Sequence, residues 1–96
     1  MLLTTTTTFA AKPDINTENY SVVKSAAGGQ VQCATDSPSS TMSGGGSRLR
    51  CAAACTKSVL CLDFNVVENG NTVCQLFDFV PTNYASVPGC TSFRGM

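Results

Sequence analysis

Leu60-Cys61-Leu62-Asp63-Phe64-Asn65-Val66-Val67, then a turn at Asn69-Gly70, then Thr72-Val73-Cys74-Gln75-Leu76-Phe77-Asp78-Phe79-Val80, is the stretch from which the fold is read. Both runs are rich in β-branched and aromatic residues. Asn-Gly between two such runs is the strongest short-range sign of a β-hairpin, because glycine accepts the positive φ of a tight turn. Side chains alternate along a strand, so Cys61, Asp63 and Asn65 share one face. A two-residue turn adds Thr72, Cys74 and Leu76 to that face and leaves Leu62, Phe64, Val66, Val73, Phe77 and Phe79 on the other. A surface that apolar is not left wet on a soluble monomer, so a second layer or a partner must cover it.

Upstream, Ser47 is a good helix N-cap, and Arg48-Leu49-Arg50-Cys51-Ala52-Ala53-Ala54-Cys55-Thr56-Lys57 contains three consecutive alanines and no breaker. This predicts one short helix. Cys51 and Cys55 stand four apart and share a face, with Leu49 and Ala52 beside them, as docking onto a sheet requires.

The remainder is lighter in signal. Tyr20-Ser21-Val22-Val23 reads as a strand, Gly28-Gly29 breaks it, and Gln30-Val31-Gln32-Cys33 returns as a hairpin partner. Residues 34–47 are almost all Ser, Thr, Gly, Pro and Asp and read as a surface loop. Pro81 and Pro88 bracket a loop holding Tyr84, and Cys90-Thr91-Ser92-Phe93 reads as a last short strand. Residues 1–17 read as a Thr-rich linker or a signal or processing remnant, leaving a single domain over 18–96. Asn19-Tyr20-Ser21 is an N-glycosylation sequon.

A chain of 96 residues buries only a modest core and calls for covalent staples. Six cysteines with no histidine point to an oxidising, extracellular address. Spacing alone cannot choose the pairing, but a helix carrying Cys51 and Cys55 over a hairpin carrying Cys61 and Cys74 favours helix-to-sheet bridges. Cys55 is nearest to Cys61, which leaves Cys51 for Cys74 and Cys33 for Cys90.

Cys51-x3-Cys55-x5-Cys61-x2-Phe64, the turn and Cys74-x-Leu76, with outer cysteines at Cys33 and Cys90, resemble the PAN/apple domain family across most of residues 20–95. The resemblance implies an α+β fold: a small disulfide-rich domain whose curved antiparallel sheet of about five strands cradles one helix. It implies the same inner bridges, and an outer bridge of the apple type, although Cys33 lies closer to the helix than the first cysteine of apple-type members usually does. Members of that family bind proteins or carbohydrates through different surfaces, so no ligand residue carries over.

Six Lys/Arg residues balance six Asp/Glu residues, and nothing in that balance attracts nucleic acid or an anionic membrane. No apolar run approaches the roughly 18 residues of a membrane span. Ser43-Gly44-Gly45-Gly46-Ser47 lacks the Lys that follows the last glycine of a phosphate-binding loop, so it reads as a lead-in to the helix cap. With no histidine and all cysteines paired, the chain lacks the groups of acid–base or nucleophilic catalysis, and no metal or other cofactor is expected. Asp63 and Asp78 read as surface acids.

The leading expectation is therefore a secreted recognition or adhesion module, binding an extracellular protein or glycan through loops around Arg48, Arg50 and Tyr84. The alternative is a structural subunit that self-associates into a fibre, coat or matrix through an apolar sheet face bearing Phe64, Phe77 and Phe79.

Overall fold

The computed structural model describes residues 20–43, 45 and 47–95; the segment 1–17 and the sequon residue Asn19 lie outside them. The elements follow in the order β1 (Tyr20–Val22), β2 (Cys33–Ala34), β3 (Ser40–Ser43), α1 (Arg48–Lys57), β4 (Asp63–Asn69), β5 (Asn71–Phe77), β6 (Tyr84–Ala85) and β7 (Cys90–Gly95). Five strands form one sheet in the order β1-β7-β4-β5-β3, every neighbouring pair antiparallel, and β2 pairs with β6 in a two-residue ribbon. One helix on an antiparallel sheet of five strands, held by disulfides, makes the domain a small α+β fold.

The hairpin β4–β5 forms where expected, but its register differs from that of a two-residue turn. Asn69 stands opposite Asn71, with Gly70 alone at the apex at φ +86°, and Val66 faces Cys74 while Phe64 faces Leu76. The odd number of turn residues shifts the second strand by one position, which exchanges its faces. Cys74 and Leu76 thus join Phe64 and Val66 rather than Asp63 and Asn65. Phe64 and Phe77 are both fully buried, on opposite faces of the sheet, and Phe79 lies beyond the end of β5. The single apolar face bearing Phe64, Phe77 and Phe79 is therefore not formed.

The helix covers the Phe64 face. Ser47 caps it, its Oγ accepting from the N–H groups of Leu49 at 3.1 Å and Arg50 at 3.4 Å. It stops at Ser58, an extended residue whose N–H reaches back to the Ala54 and Cys55 carbonyls. Cys51, Ala52 and Cys55 pack with Phe64, Val66, Cys74 and Phe93 in one core cluster. Each large apolar side chain buried there contributes about 1.5–3 kcal/mol. Leu49, expected on this face, is instead half exposed, because the packed stripe runs through Cys51, Ala52, Cys55 and Thr56. Tyr20 closes the edge of the core, its ring edge-on to Phe64 with centroids 5.0 Å apart and its hydroxyl 2.7 Å from Thr56 Oγ1.

The bridges join Cys33 to Cys90, Cys51 to Cys74 and Cys55 to Cys61. The inner two pin α1 and its exit loop to the hairpin. The outer one ties β2 to the start of β7, on the sheet face away from the helix. Of the hairpin expected between Tyr20–Val23 and Gln30–Cys33 only a short arm forms, with Lys24 opposite Val31 and Gly28 and Gly29 at positive φ. Tyr20–Val22 pairs instead with β7, and Cys33–Ala34 with β6. Within residues 34–47, read as loop, Ser40–Ser43 instead forms the edge strand β3 on β5.

Candidate binding groove and buried polar cluster

Two arrangements on this frame carry chemistry, one at an end of the sheet and one beneath the β2–β6 ribbon. The first is an open groove of about 590 Å³ at the end where β4 finishes and β7 starts. Its floor is Gly89, Cys90 and Thr91; its walls are Gln30 and Val31 from the hairpin arm, Ser86–Pro88 from the loop, and Arg48 with Glu68. Cys90 is bridged to Cys33, and the Glu68 N–H donates to the Gly89 carbonyl at 2.6 Å, so the floor is tied to two strands. Gly89 is required there. Its φ is +78°, and a Cβ at that position would meet the Glu68 carbonyl oxygen at 2.8 Å.

Arg48 occupies the first turn of α1, where no acidic residue is present and the helix dipole disfavours a cation. It is held by Glu68, Nη2 to Oε1 3.4 Å, and by the face of Phe93, 5.7 Å from the guanidinium carbon to the ring centroid. Both charged partners are about half exposed, so the pair is accessible from solvent. Val31 and Val87 add exposed apolar surface to the lining.

The second arrangement lies under the β2–β6 ribbon. Asp63, fully buried, directs Oδ2 toward Arg94 Nε at 3.4 Å and toward the Tyr84 hydroxyl at 3.5 Å, and Arg94 Nη2 donates to that hydroxyl at 2.8 Å. Burial pushes the Asp63 carboxyl above its usual range against the pull of Arg94. Burial likewise raises the Tyr84 phenol, and the hydrogen bond to Tyr84 raises Arg94. Beside the cluster, Asn65 satisfies the backbone of Ala34. Asp63 Oδ2 is thus engaged, whereas Asp63 Oδ1 and the Ser92 hydroxyl are buried without a hydrogen-bond partner among the described residues. Through Tyr84 the cluster links β4 and β7 to the ribbon.

Of the residues singled out in the sequence, Arg48 lines the groove. Arg50, on the same helix turn, lays its side chain across Gly45, where an added Cβ would meet Arg50 Cδ at 2.9 Å. Tyr84 lies in the β2–β6 ribbon outside the groove lining, committed to Arg94 and Asp63. The three are not brought into one site. Asp63 and Asp78 also part: Asp63 is buried with Arg94 and Tyr84, and Asp78 is exposed and accepts from Ser39 Oγ at 2.7 Å. Glu68, Val31 and Val87 were not singled out, since nothing local in the sequence sets them apart.

Among the described residues, no group of three or more His, Cys, Asp or Glu is placed to hold a metal ion, and no helix is long and apolar enough to cross a membrane. Compared with family models, with curated proteins and with solved structures, the chain matches none.

Proposed function

We propose that this chain is an extracellular recognition module, PAN/apple-like in architecture, that binds a protein segment or a glycan through the groove beside Arg48. The observation that carries this reading is the groove itself. It is large enough for a short peptide or a few sugar units, it rests on a disulfide-tied floor, and its lining offers an accessible guanidinium and carboxylate together with two exposed valines. Preorganised loops of this kind bind at low entropic cost. Three disulfides in so small a domain support the extracellular setting. The six-cysteine spacing supports the PAN/apple reading.

A glycan array and a panel of secreted proteins, probed with the oxidised chain and with its Arg48→Ala variant, test this. The expected result is a hit whose affinity falls at least about tenfold, on the order of 1.4 kcal/mol, in the variant. Hits that Arg48→Ala and Val87→Asp both leave unchanged place recognition elsewhere and overturn the assignment.

A further inference from the structure

The opposite end of the sheet, where β4 starts and β5 finishes, carries a cluster of exposed apolar side chains. Val59 and Leu60 are 73% and 66% exposed, and Leu62, Phe79 and Val80 are also exposed. The Leu62 N–H donates to the Phe77 carbonyl at 2.8 Å, and Asp63 stands opposite Phe77, so the two loops leave the sheet side by side. Between them lies a cleft of about 220 Å³ lined by Ser58, Leu60, Leu76, Phe77 and Asp78.

The display of Val59 and Leu60 is built in. The bridge Cys55–Cys61 closes a loop with a sequence separation of 6, and the Cys61 N–H bonds the Ser58 carbonyl, so the intervening residues have no slack with which to fold inward. Lys57 flanks the first bank and Asp78 the second. Among the described residues the ion pairs are Arg48–Glu68 and Arg94–Asp63, and neither Lys57 nor Asp78 belongs to them.

We propose that this end is a self-association surface whose occupant is a second copy of the chain, related by a two-fold axis. A two-fold contact sets each patch against its own image. With the axis running between the two banks, the first bank meets the second bank of the other copy, and Lys57 stands opposite Asp78 of that copy, so the rim charges complement one another. The formal net charge of zero leaves no overall repulsion between copies. This surface does not depend on the Arg48 groove, which lies at the other end of β4 and stays open in such a pair.

Sedimentation equilibrium of the full, oxidised chain from about 10 μM to 1 mM tests the proposal. A monomer–dimer equilibrium is expected. Leu60→Asp, at an exposed position, weakens it at least about tenfold while leaving the thermal midpoint near that of the parent. Lys57→Glu and Asp78→Lys each weaken it, and together they restore it to within about threefold. A monomer throughout the range overturns the proposal, whether the patch is bare or covered by residues 1–19. So does a dimer that Leu60→Asp and the charge reversals leave unchanged.

Discussion

The carboxamide of Asn65 pairs with the backbone of Ala34 as a neighbouring strand would. Nδ2 donates to the Ala34 carbonyl at 2.8 Å, and Oδ1 accepts from the Ala34 N–H at 3.2 Å. A second bond from Nδ2 reaches Gln75 Oε1 at 2.9 Å. Both Asn65 and Ala34 are buried, so one side chain supplies the partners that the short ribbon β2–β6 cannot supply for itself.

Asn65→Ala strands two backbone groups of Ala34 away from water. A loss of about 2–4 kcal/mol is expected in urea unfolding. Asn65→Asp keeps the acceptor and removes the donor, so it too destabilises at neutral pH, and its deficit shrinks on acidification as the carboxyl regains a proton to donate. A deficit independent of pH contradicts the pairing.

Asp63 sets a pH dependence whose sign follows from its environment. Its folded-state carboxyl titrates above the ordinary aspartate range, chiefly because it is buried. Between the unfolded and folded values the native state binds the extra proton. The contribution of Asp63 to stability is therefore greatest below that window, declines as pH rises through it, and is a constant cost above it. Unfolding free energies measured from about pH 3 to pH 7 are expected to show wild type losing ground to Asp63→Asn as pH rises. Wild type gaining on the variant over that range contradicts the account.

The three bridges close loops of very different length, with sequence separations of 57, 23 and 6. Loop-closure entropy then orders the losses on paired Cys→Ser replacement as Cys33/Cys90, then Cys51/Cys74, then Cys55/Cys61, at about 4, 3 and 2 kcal/mol. Thermal or denaturant unfolding of the three double variants checks the order. Cys51, Cys74, Cys55 and Cys61 all belong to the buried core, so a packing loss adds to both of the smaller values.

Gly70 and Gly89 separate a conformational penalty from a steric one. Both have positive φ, but a Cβ at Gly70 meets nothing within 4 Å, whereas at Gly89 it meets the Glu68 carbonyl oxygen at 2.8 Å. Gly70→Ala is expected to cost about 1 kcal/mol, and Gly89→Ala about 2–3 kcal/mol together with a distortion of the groove floor. Equal costs contradict the close approach of the chain at Gly89.

The elements most legible in the sequence were those with a local cause. Ser47 and the alanine run specify α1, and Asn69-Gly70 specifies the hairpin turn. The strand faces were not legible, because they depend on whether the turn holds an even or odd number of residues, and Asn-Gly permits both. Strand β3 escaped notice because all four of its residues are exposed, and its pairing with β5 is a backbone matter that leaves no hydrophobic pattern. Asp63 read as a surface acid, and no signal marked Asn65 or Arg94 as its neighbours in a buried cluster. Their partners sit on β2 and β6, two-residue strands far away in sequence, too short to show an alternation. Arg48 was legible as a candidate because arginine is a frequent interface anchor. Its groove was not, because the Val31 and Val87 walls come from loops that only the Cys33–Cys90 bridge and the sheet bring together.

Recognition through the Arg48 groove is tested most directly by adding a ligand found on the array to the isotope-labelled chain and following its amide and guanidinium resonances. The account expects the largest shifts at Val31, Arg48, Glu68 and residues 86–91, and loss of those shifts in Arg48→Ala but not in Arg94→Ala. Shifts centred instead on Tyr84 and Arg94, or undiminished in Arg48→Ala, contradict it.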